Sequence, residues 1–256
     1  MKLLIESELQ RVWTRSKTKA ILIILILITL AWSSCMRGWN VGFYDANNTM
    51  ALNSLNLPVF ILRDIHPALM FVFLPMLYVD GLNSEHTQGC YRNVMTRPYK
   101  KWQFIVSKLI VQAIVTAITL IIIFIVSSLF GNLFFNSVES TKFFKNPNTL
   151  NVFGTLIYSL KFYSLEFLIL FALLSVSSLI CSIVPNGVLG VLLTIAFPVG
   201  TIYISHVFEF FLSSTKTIFD ALGNSAPPSF YGILSSIIII GIGGSIFLWQ
   251  KKDWVF

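Results

Sequence analysis

The residues best suited to interaction chemistry lie in one polar stretch, residues 80–102, between two apolar runs. Ser84 is placed to cap a short helix, Glu85 favours the first turn of that helix, and Pro98 would end it. The stretch also carries four basic side chains: Arg92, Arg97, Lys100 and Lys101. The pattern predicts a short, exposed polar and aromatic element outside the apolar core.

Motifs for catalysis are missing from the sequence. Neither HExxH nor GxSxG occurs, and the three histidines, His66, His86 and His206, are scattered along the chain. A GxxxxGK[ST] phosphate-binding loop is also missing. The three cysteines are far apart and form no CxxC pair, so neither a disulfide framework nor a zinc site is predicted. We therefore predict a chain with no catalytic, cofactor-binding or metal-binding residues.

Ionisable residues inside or beside apolar runs form a second set of candidates, because a charge in hydrocarbon costs roughly 3 kcal/mol or more. The set consists of Arg63, Asp64, His66, Lys161, Glu166, His206 and Glu209. Glu166 and Glu209 are the candidates for a path across the membrane. The alternative interpretation is that helix tilt or a re-entrant loop exposes both side chains to water.

The framework that positions these residues is predicted to be a bundle of transmembrane helices. The chain is 55% hydrophobic and 11% charged, whereas soluble domains carry roughly 25% charged residues. Its apolar runs reach the roughly 18 to 20 residues that cross a bilayer. The predicted spans are residues 20–36, 60–79, 104–130, 159–184, 188–212 and 230–249. We predict an all-α, polytopic membrane protein with a single transmembrane domain over residues 1–256.

The first apolar run is interpreted as a retained helix rather than the core of a cleaved signal peptide. Most of the 18 lysines and arginines fall before the first span, between the second and third spans, or after the last. Because basic loops are retained in the cytoplasm, both ends of the chain are predicted to be cytoplasmic. This arrangement explains the net charge of +7 better than a nucleic-acid-binding face does, because the cations are not clustered.

Residues 1–19 have the apolar spacing of a short amphipathic helix. Two interpretations remain open: a helix lying flat on the membrane with Arg11 and Arg15 at anionic headgroups, or a solvated basic leader that sets topology. In the last span, Gly241 and Ser245 are spaced to permit close approach of another helix.

The polar stretch resembles the corresponding region in the membrane permeases of type-2 ABC exporters. In that family the second helix ends in a Glu and a Gly-Thr pair, followed by an aliphatic stretch, Pro and basic residues that open the third helix. This chain has Glu85, Gly89, Pro98 and Lys108 at matching places, together with Lys100 and Lys101, and Cys90 stands where the family has Thr. The resemblance covers residues 78–108 in motif and the six-helix plan in topology.

The resemblance implies that residues 80–103 form a coupling loop that binds a separate ATPase subunit. The coupling residues would be Glu85, Gly89, Arg92, Arg97, Pro98, Lys100 and Lys101. ATP and Mg²⁺ would then bind the partner ATPases, of which two would assemble with two permease subunits in a bacterial plasma membrane. The second permease would be a copy of this chain or a paralogue.

The apolar, phenylalanine-rich composition favours amphipathic or hydrophobic peptides as cargo, exported for self-protection, over a hydrophilic sugar. Lipid-like or drug-like cargo is the nearest alternative. A different class of function also fits the sequence: a non-transporting immunity or sensory protein that binds a peptide or another partner in the bilayer without ATP. In that case the basic loop would only fix topology.

Overall fold

The fold is known from a computed structural model that describes residues 1–44, 48–87, 99–146, 148–223, 225 and 229–251. It is 82% helical, which confirms the predicted all-α class. Six helices are long and apolar enough to cross a membrane. In chain order, spans 1 to 6 are Ser16–Trp39, Leu57–Glu85, Lys101–Phe134, Val152–Ile183, Gly187–Ile204 and Ser229–Lys251. We call the end of the bundle where spans 1, 3 and 5 begin proximal, and the opposite end distal.

The second span is longer than its apolar run, which differs from the prediction. Its helix continues through Asp80 and Ser84 to Thr87, so the predicted coupling loop 80–103 begins within a helix. Ser84 lies inside this helix, and the prediction that it caps a separate one is wrong. The helix continues because its polar side chains form ion pairs with neighbouring elements. These side chains therefore do not need to be exposed to water in a loop.

The fifth span is shorter than predicted and ends at Ile204 instead of residue 212. Ser205 adopts an extended backbone, and its hydroxyl accepts a hydrogen bond from the Val207 amide at 3.4 Å. This cap starts a separate 3₁₀ turn, His206–Phe211. Residues 206–211 therefore leave the span although they are mostly apolar.

Spans 2 and 4 form the centre of the bundle, with 67% of their most apolar 18-residue segments buried. Span 5 is 17% buried by the same measure and is peripheral. Span 2 is interrupted after Pro67 by a π-helical turn, Leu69–Phe73, as expected where proline removes a helical hydrogen bond. Farther along span 2, the Tyr78 and Thr116 hydroxyls bond at 2.7 Å and join it to span 3.

The N-terminal helix, Lys2–Thr14, packs against span 3. Its buried face consists of Leu4, Glu8 and Val12. The helix ends where Arg15 takes an extended conformation, and span 1 begins at the next residue. The helical prediction is confirmed, but its buried face contacts protein, an arrangement that neither sequence interpretation included.

The distal end is covered by short elements: the strand pairs β1 (Val41–Phe43) with β2 (Thr49–Ala51) and β3 (Ser140–Thr141) with β4 (Leu150–Asn151), and the short helix Ser214–Leu222. Aromatic rings bind them to the spans. Phe219 of the short helix lies 5.1 Å from Phe162 of span 4 and 6.0 Å from Phe60 of span 2, centroid to centroid. The distal elements therefore share the core of spans 2 and 4.

Spans 4 and 6 approach closely at Gly241, as predicted. A Cβ at this position would lie 2.7 Å from the carbonyl carbon of Ser175. Ser245, one turn later, is fully buried. Small residues on this face of span 6 therefore allow spans 4 and 6 to pack at a short distance.

Gly241→Leu is expected to lower the free energy of unfolding by about 1–3 kcal/mol, because the side chain forces span 6 away from the backbone of span 4. Gly243→Leu is the matched control, since a Cβ there meets nothing within 4 Å. Unfolding of both variants in mixed detergent micelles measures the difference. Equal destabilisation by the two substitutions would show that close packing at Gly241 is not required.

Candidate functional site

Ionic side chains from three elements meet at the proximal end. We call this group the proximal charge cluster: Glu8, Arg11, Arg15, Asp80, Glu85 and Lys108. Glu8 and Arg11 belong to the N-terminal helix, Arg15 follows that helix, Asp80 and Glu85 lie on span 2, and Lys108 lies on span 3. These six buried or half-buried members comprise three cationic and three anionic groups, and the exposed Lys17 lies 3.8 Å from Asp80 at the edge of the cluster.

Arg11 and Arg15 attach the N-terminal segment to span 2. Arg11 pairs with Glu85 and also donates to the Gly81 carbonyl at 3.2 Å. Arg15 pairs with Asp80 and donates to the Ser84 hydroxyl at 2.7 Å. Each arginine thus contacts two residues four positions apart, which lie on one face of a helix.

Lys108 attaches span 3 to the same group. Its ammonium lies 2.7 Å from Glu85 Oε2 and donates to the Leu82 carbonyl at 3.3 Å. The ammonium also lies 5.7 Å from the ring centroid of Trp249 in span 6, within reach of a cation–π contact. Lys108 is only 2% exposed, so its charge depends on these partners.

Glu85 is the centre of the cluster, because its two carboxylate oxygens bind different elements. Oε1 accepts from Arg11 and Oε2 accepts from Lys108. Glu85 is 8% exposed, and a buried charge that loses its partner is costly. The N-terminal helix, span 2 and span 3 are therefore held together through one carboxylate.

The cluster overlaps the start of the segment predicted to couple to a partner. Asp80 and Glu85 lie within the predicted loop 80–103, and Lys108 lies five residues beyond its end on span 3. Lys100 is exposed and Lys101 is half-buried at the start of span 3. The remaining predicted coupling residues, Gly89, Arg92, Arg97 and Pro98, lie outside the described residues. The structure thus places Glu85 in an internal network, while Lys100 presents its side chain at the surface.

The sequence analysis missed the partners of Arg11 and Arg15, which its two interpretations placed either at lipid headgroups or in solvent. A signal was present: Arg11 and Arg15 are four residues apart, and so are Asp80 with Ser84 and Gly81 with Glu85. Matched spacing on two helices permits pairing, but nothing in the sequence states that the helices are adjacent.

The two candidates for a path across the membrane differ in position. Glu166 of span 4 is fully buried, and its Oε1 lies 2.5 Å from His66 Nδ1 of span 2. Glu209 is exposed in the 3₁₀ turn beyond span 5. The structure does not bring these two carboxylates together.

The hydrogen-bond partners of the His66–Glu166 pair indicate how many protons the pair holds. His66 Nε2 lies 2.9 Å from the Phe211 carbonyl, which only accepts, so Nε2 carries a hydrogen. Nδ1 and Glu166 Oε1 then share one further proton, whichever of the two atoms holds it. The pair is neutral overall in either form. It ties spans 2 and 4 to the 3₁₀ turn, and the sequence analysis had named both residues without pairing them.

The other ionisable candidates lie toward the distal end. Arg63 and Asp64 form a loose pair at 3.8 Å, and Asp64 accepts from the Trp32 indole at 2.9 Å. His206 is exposed at the start of the 3₁₀ turn, and Lys161 is exposed on span 4. Arg63 and Asp64 are thus paired with each other in the distal part of span 2.

Comparison with known proteins gives one family match. Residues 20–253 match the family model described as protein of unknown function (DUF2705). This match begins within span 1 and includes the other five spans. It therefore covers the cluster residues on spans 2 and 3, namely Asp80, Glu85 and Lys108. A comparison with curated proteins finds no match.

Proposed function

The chain belongs to the DUF2705 family, and we propose that it is the transmembrane permease subunit of an ATP-driven exporter of the type-2 ABC kind. The observation that carries the proposal is the proximal charge cluster. It joins the two helices that flank the predicted coupling segment and ties both to the N-terminal helix. An ATPase that moves this segment would therefore move three elements together.

The proposed mechanism is a rigid-body switch driven at the proximal end. ATP-bound ATPase subunits close against each other and displace the coupling segment between spans 2 and 3. Separating Glu85 from Lys108 would leave the buried Lys108 charge uncompensated, which costs about 3–5 kcal/mol. If the N-terminal helix, span 2 and span 3 tilt together, these ion pairs stay intact and the cost is avoided. Packed helix interfaces permit such rigid-body movements between two arrangements.

The assembly that this mechanism requires contains two permease subunits and two ATPases. ATP and Mg²⁺ bind the ATPases, and this chain supplies no catalytic residue. The proximal end faces the cytoplasm, in keeping with the basic residues on that side, and the membrane is the plasma membrane of a bacterium.

Amphipathic or hydrophobic peptides are the proposed cargo, with lipid-like molecules next in order. Apolar side chains dominate the surfaces of the peripheral spans, among them Leu192 and Ile239 at 57% and 70% exposure. Two permeases that face each other through such surfaces would enclose an apolar path. Stimulation of ATP hydrolysis by amphipathic peptides, measured on the assembled complex in vesicles, tests this assignment.

The lysines at the start of span 3, the exposed Lys100 and the half-buried Lys101, are expected to contribute to ATPase binding. Lys100→Gln with Lys101→Gln should lower recovery of the ATPase in mild-detergent pull-downs by about fivefold, because rim charges steer and hold such contacts. The matched control is Lys142→Gln with Lys216→Gln, which removes two exposed lysines at the distal end. The control should recover the ATPase at the wild-type level.

Two results would contradict the proposal. One is stable purification of the protein from its native membrane with no ATPase, which would favour the non-transporting immunity or sensory protein. The other is labelling of Cys90 by a membrane-impermeant maleimide in intact cells, in a variant with Cys35 and Cys181 replaced by Ser. That labelling would place the coupling segment outside the cell.

A further inference from the structure

A basic cavity opens at the distal end, where the loop between β3 and β4 meets the start of span 4 and the end of the short helix Ser214–Leu222. Its volume is about 400 Å³. We call it the distal basic pocket and define it by the residues that the argument uses: Lys145, Tyr158, Lys161 and Gly223. It lies at the opposite end of the bundle from the proximal charge cluster.

The pocket carries more positive charge than its surroundings compensate. Within the described part of the chain, Lys161 forms no ion pair, and Lys145 forms one, at 3.9 Å from Asp220 Oδ1. Asp220 in turn accepts a hydrogen bond from the Tyr44 hydroxyl at 2.8 Å, so its charge is shared. The two lysines therefore leave the pocket with an excess of positive charge.

Tyr158 is an independent indication that the pocket is suited to a ligand. Its ring is stacked on Phe143 with centroids 4.2 Å apart, and the residue is 7% exposed. Its hydroxyl is buried with no hydrogen-bond partner among the described residues. Buried polar groups are almost always satisfied, so a hydroxyl in this position is available to a ligand oxygen in the pocket that Tyr158 lines.

The start of span 4 strengthens the preference for an anion. This helix has 32 residues, and its N-terminus lies beside the pocket, where Asn151 caps it by accepting from the Gly154 amide at 2.8 Å. The positive end of a helix dipole favours negative charge. Lysine ammonium groups, a tyrosine hydroxyl and a helix N-terminus are together suited to phosphate oxygens.

Packing fixes one of the two lysines at the rim. Lys145 has a φ of 61°, in the left-handed region. A Cβ at position 223 would lie 2.5 Å from Lys145 Cβ, so Gly223 allows the loop to sit against the end of the short helix. Lys145 is thereby held on the opposite side of the pocket from span 4.

The length of span 4 indicates how deep the pocket lies in the membrane. A helix of 32 residues is roughly 48 Å long, whereas the hydrocarbon core is about 30 Å thick, so the first turns of span 4 extend into the headgroup region. Lys161 lies roughly 14 Å from the start of the helix, near the hydrocarbon boundary. Leu160 and Leu168 on the same helix lie at this boundary and on its hydrocarbon side, and they are exposed by 52% and 39%, as is suitable for contact with acyl chains.

From these observations we propose that the distal basic pocket binds the headgroup phosphate of an anionic phospholipid, whose acyl chains lie along the exposed apolar residues of span 4. A soluble anion would reach Lys145 but would have to approach the hydrocarbon boundary to reach Lys161. A phosphate that is anchored by acyl chains is already at that depth. The proposal does not depend on ATP-driven export.

Lipid binding to the purified full-length protein, followed by native mass spectrometry, tests the proposal. The probes are phosphatidylglycerol and phosphatidylcholine with the same acyl chains. Lys145→Gln with Lys161→Gln should weaken phosphatidylglycerol binding by about tenfold, since charge-assisted contacts to phosphate are lost. Lys142→Gln with Lys216→Gln removes the same charge from exposed positions outside the pocket and should leave binding within about twofold of wild type.

Tyr158→Phe keeps the stacked ring and removes only the hydroxyl, so it should weaken phosphatidylglycerol binding by about threefold or more. Melting temperatures of the variants show that folding is retained. Three results would overturn the proposal: equal binding of the two lipids, equal losses in the two lysine pairs, or full displacement of phosphatidylglycerol by glycerol 3-phosphate at millimolar concentration. The last result would assign the pocket to a soluble phosphate.

Discussion

Glu85→Ala is expected to lower the free energy of unfolding by about 3–5 kcal/mol, because it leaves the buried Lys108 ammonium without its carboxylate, whereas Arg11 keeps Glu8 as a partner. The effect is large because Lys108 is 2% exposed and has little access to water. Unfolding in mixed micelles, followed by circular dichroism, measures the change.

The matched control is Glu6→Ala, which removes a carboxylate from the same end of the molecule. Glu6 pairs with Lys2 at 3.9 Å, and their side chains are 56% and 89% exposed. Such a pair contributes about 0–1 kcal/mol. If Glu85→Ala and Glu6→Ala had the same small effect, the proximal charge cluster would not hold the three elements together.

A milder substitution separates two roles that Glu85 could have. Glu85→Gln keeps an oxygen that accepts hydrogen bonds but removes the charge. Because Glu85 is buried, we expect this variant, in the proposed assembly, to keep its association with the ATPase and to lose most of the stimulation of ATP hydrolysis by cargo. Loss of association with normal stability would instead show that Glu85 contacts the ATPase directly.

Glu166→Ala should be the second severe substitution, with a loss of about 2–4 kcal/mol in the free energy of unfolding, because it leaves His66 Nδ1 buried without a partner and opens a cavity. Both residues are essentially inaccessible, at 1% and 0% exposure. The measurement is the same micellar unfolding experiment.

Glu209→Ala is the control for this prediction, since Glu209 is exposed in the 3₁₀ turn and surface substitutions usually change stability by less than about 0.5 kcal/mol. Glu166→Gln, whose side-chain amide can donate a hydrogen bond to the unprotonated His66 Nδ1, should fall between the two. A double-mutant cycle of His66→Asn with Glu166→Gln should give a coupling energy of about 0.5–3 kcal/mol. A coupling near zero would contradict the paired arrangement.

The same variants decide whether Glu166 belongs to a path for cargo. In the structure it is buried and bound to His66 Nδ1, while the His66 Nε2 hydrogen is bound to the Phe211 carbonyl. We therefore expect a structural role, in which activity falls in proportion to folded protein. A change in peptide selectivity at unchanged stability would instead restore Glu166 as a residue of the path.

Span boundaries illustrate where local sequence is a sufficient guide. The third span was predicted at 104–130 and extends from Lys101 to Phe134, because its run of apolar residues has a clear beginning and end. The second span was predicted to end at residue 79, but it continues to Glu85. Its last turns are polar, and only their ionic partners on other elements make a helical, buried position favourable.

The fifth span shows the opposite error. Residues 205–211 are mostly apolar, so hydropathy alone continued the span to residue 212. The extended backbone and capping hydroxyl of Ser205 end the helix at Ile204. The Phe211 carbonyl then lies where it accepts the His66 hydrogen, a contact between residues 145 positions apart that no local pattern reveals.

The sequence by itself determined the class of protein, the number of spans and the close approach at Gly241, because the transfer of an apolar segment into lipid and the size of a side chain are local properties. The tertiary structure alone decided which charges are partners: Glu85 with Arg11 and Lys108, and His66 with Glu166. A buried charge is tolerated only where packing supplies its counter-charge, and packing depends on which helices are neighbours.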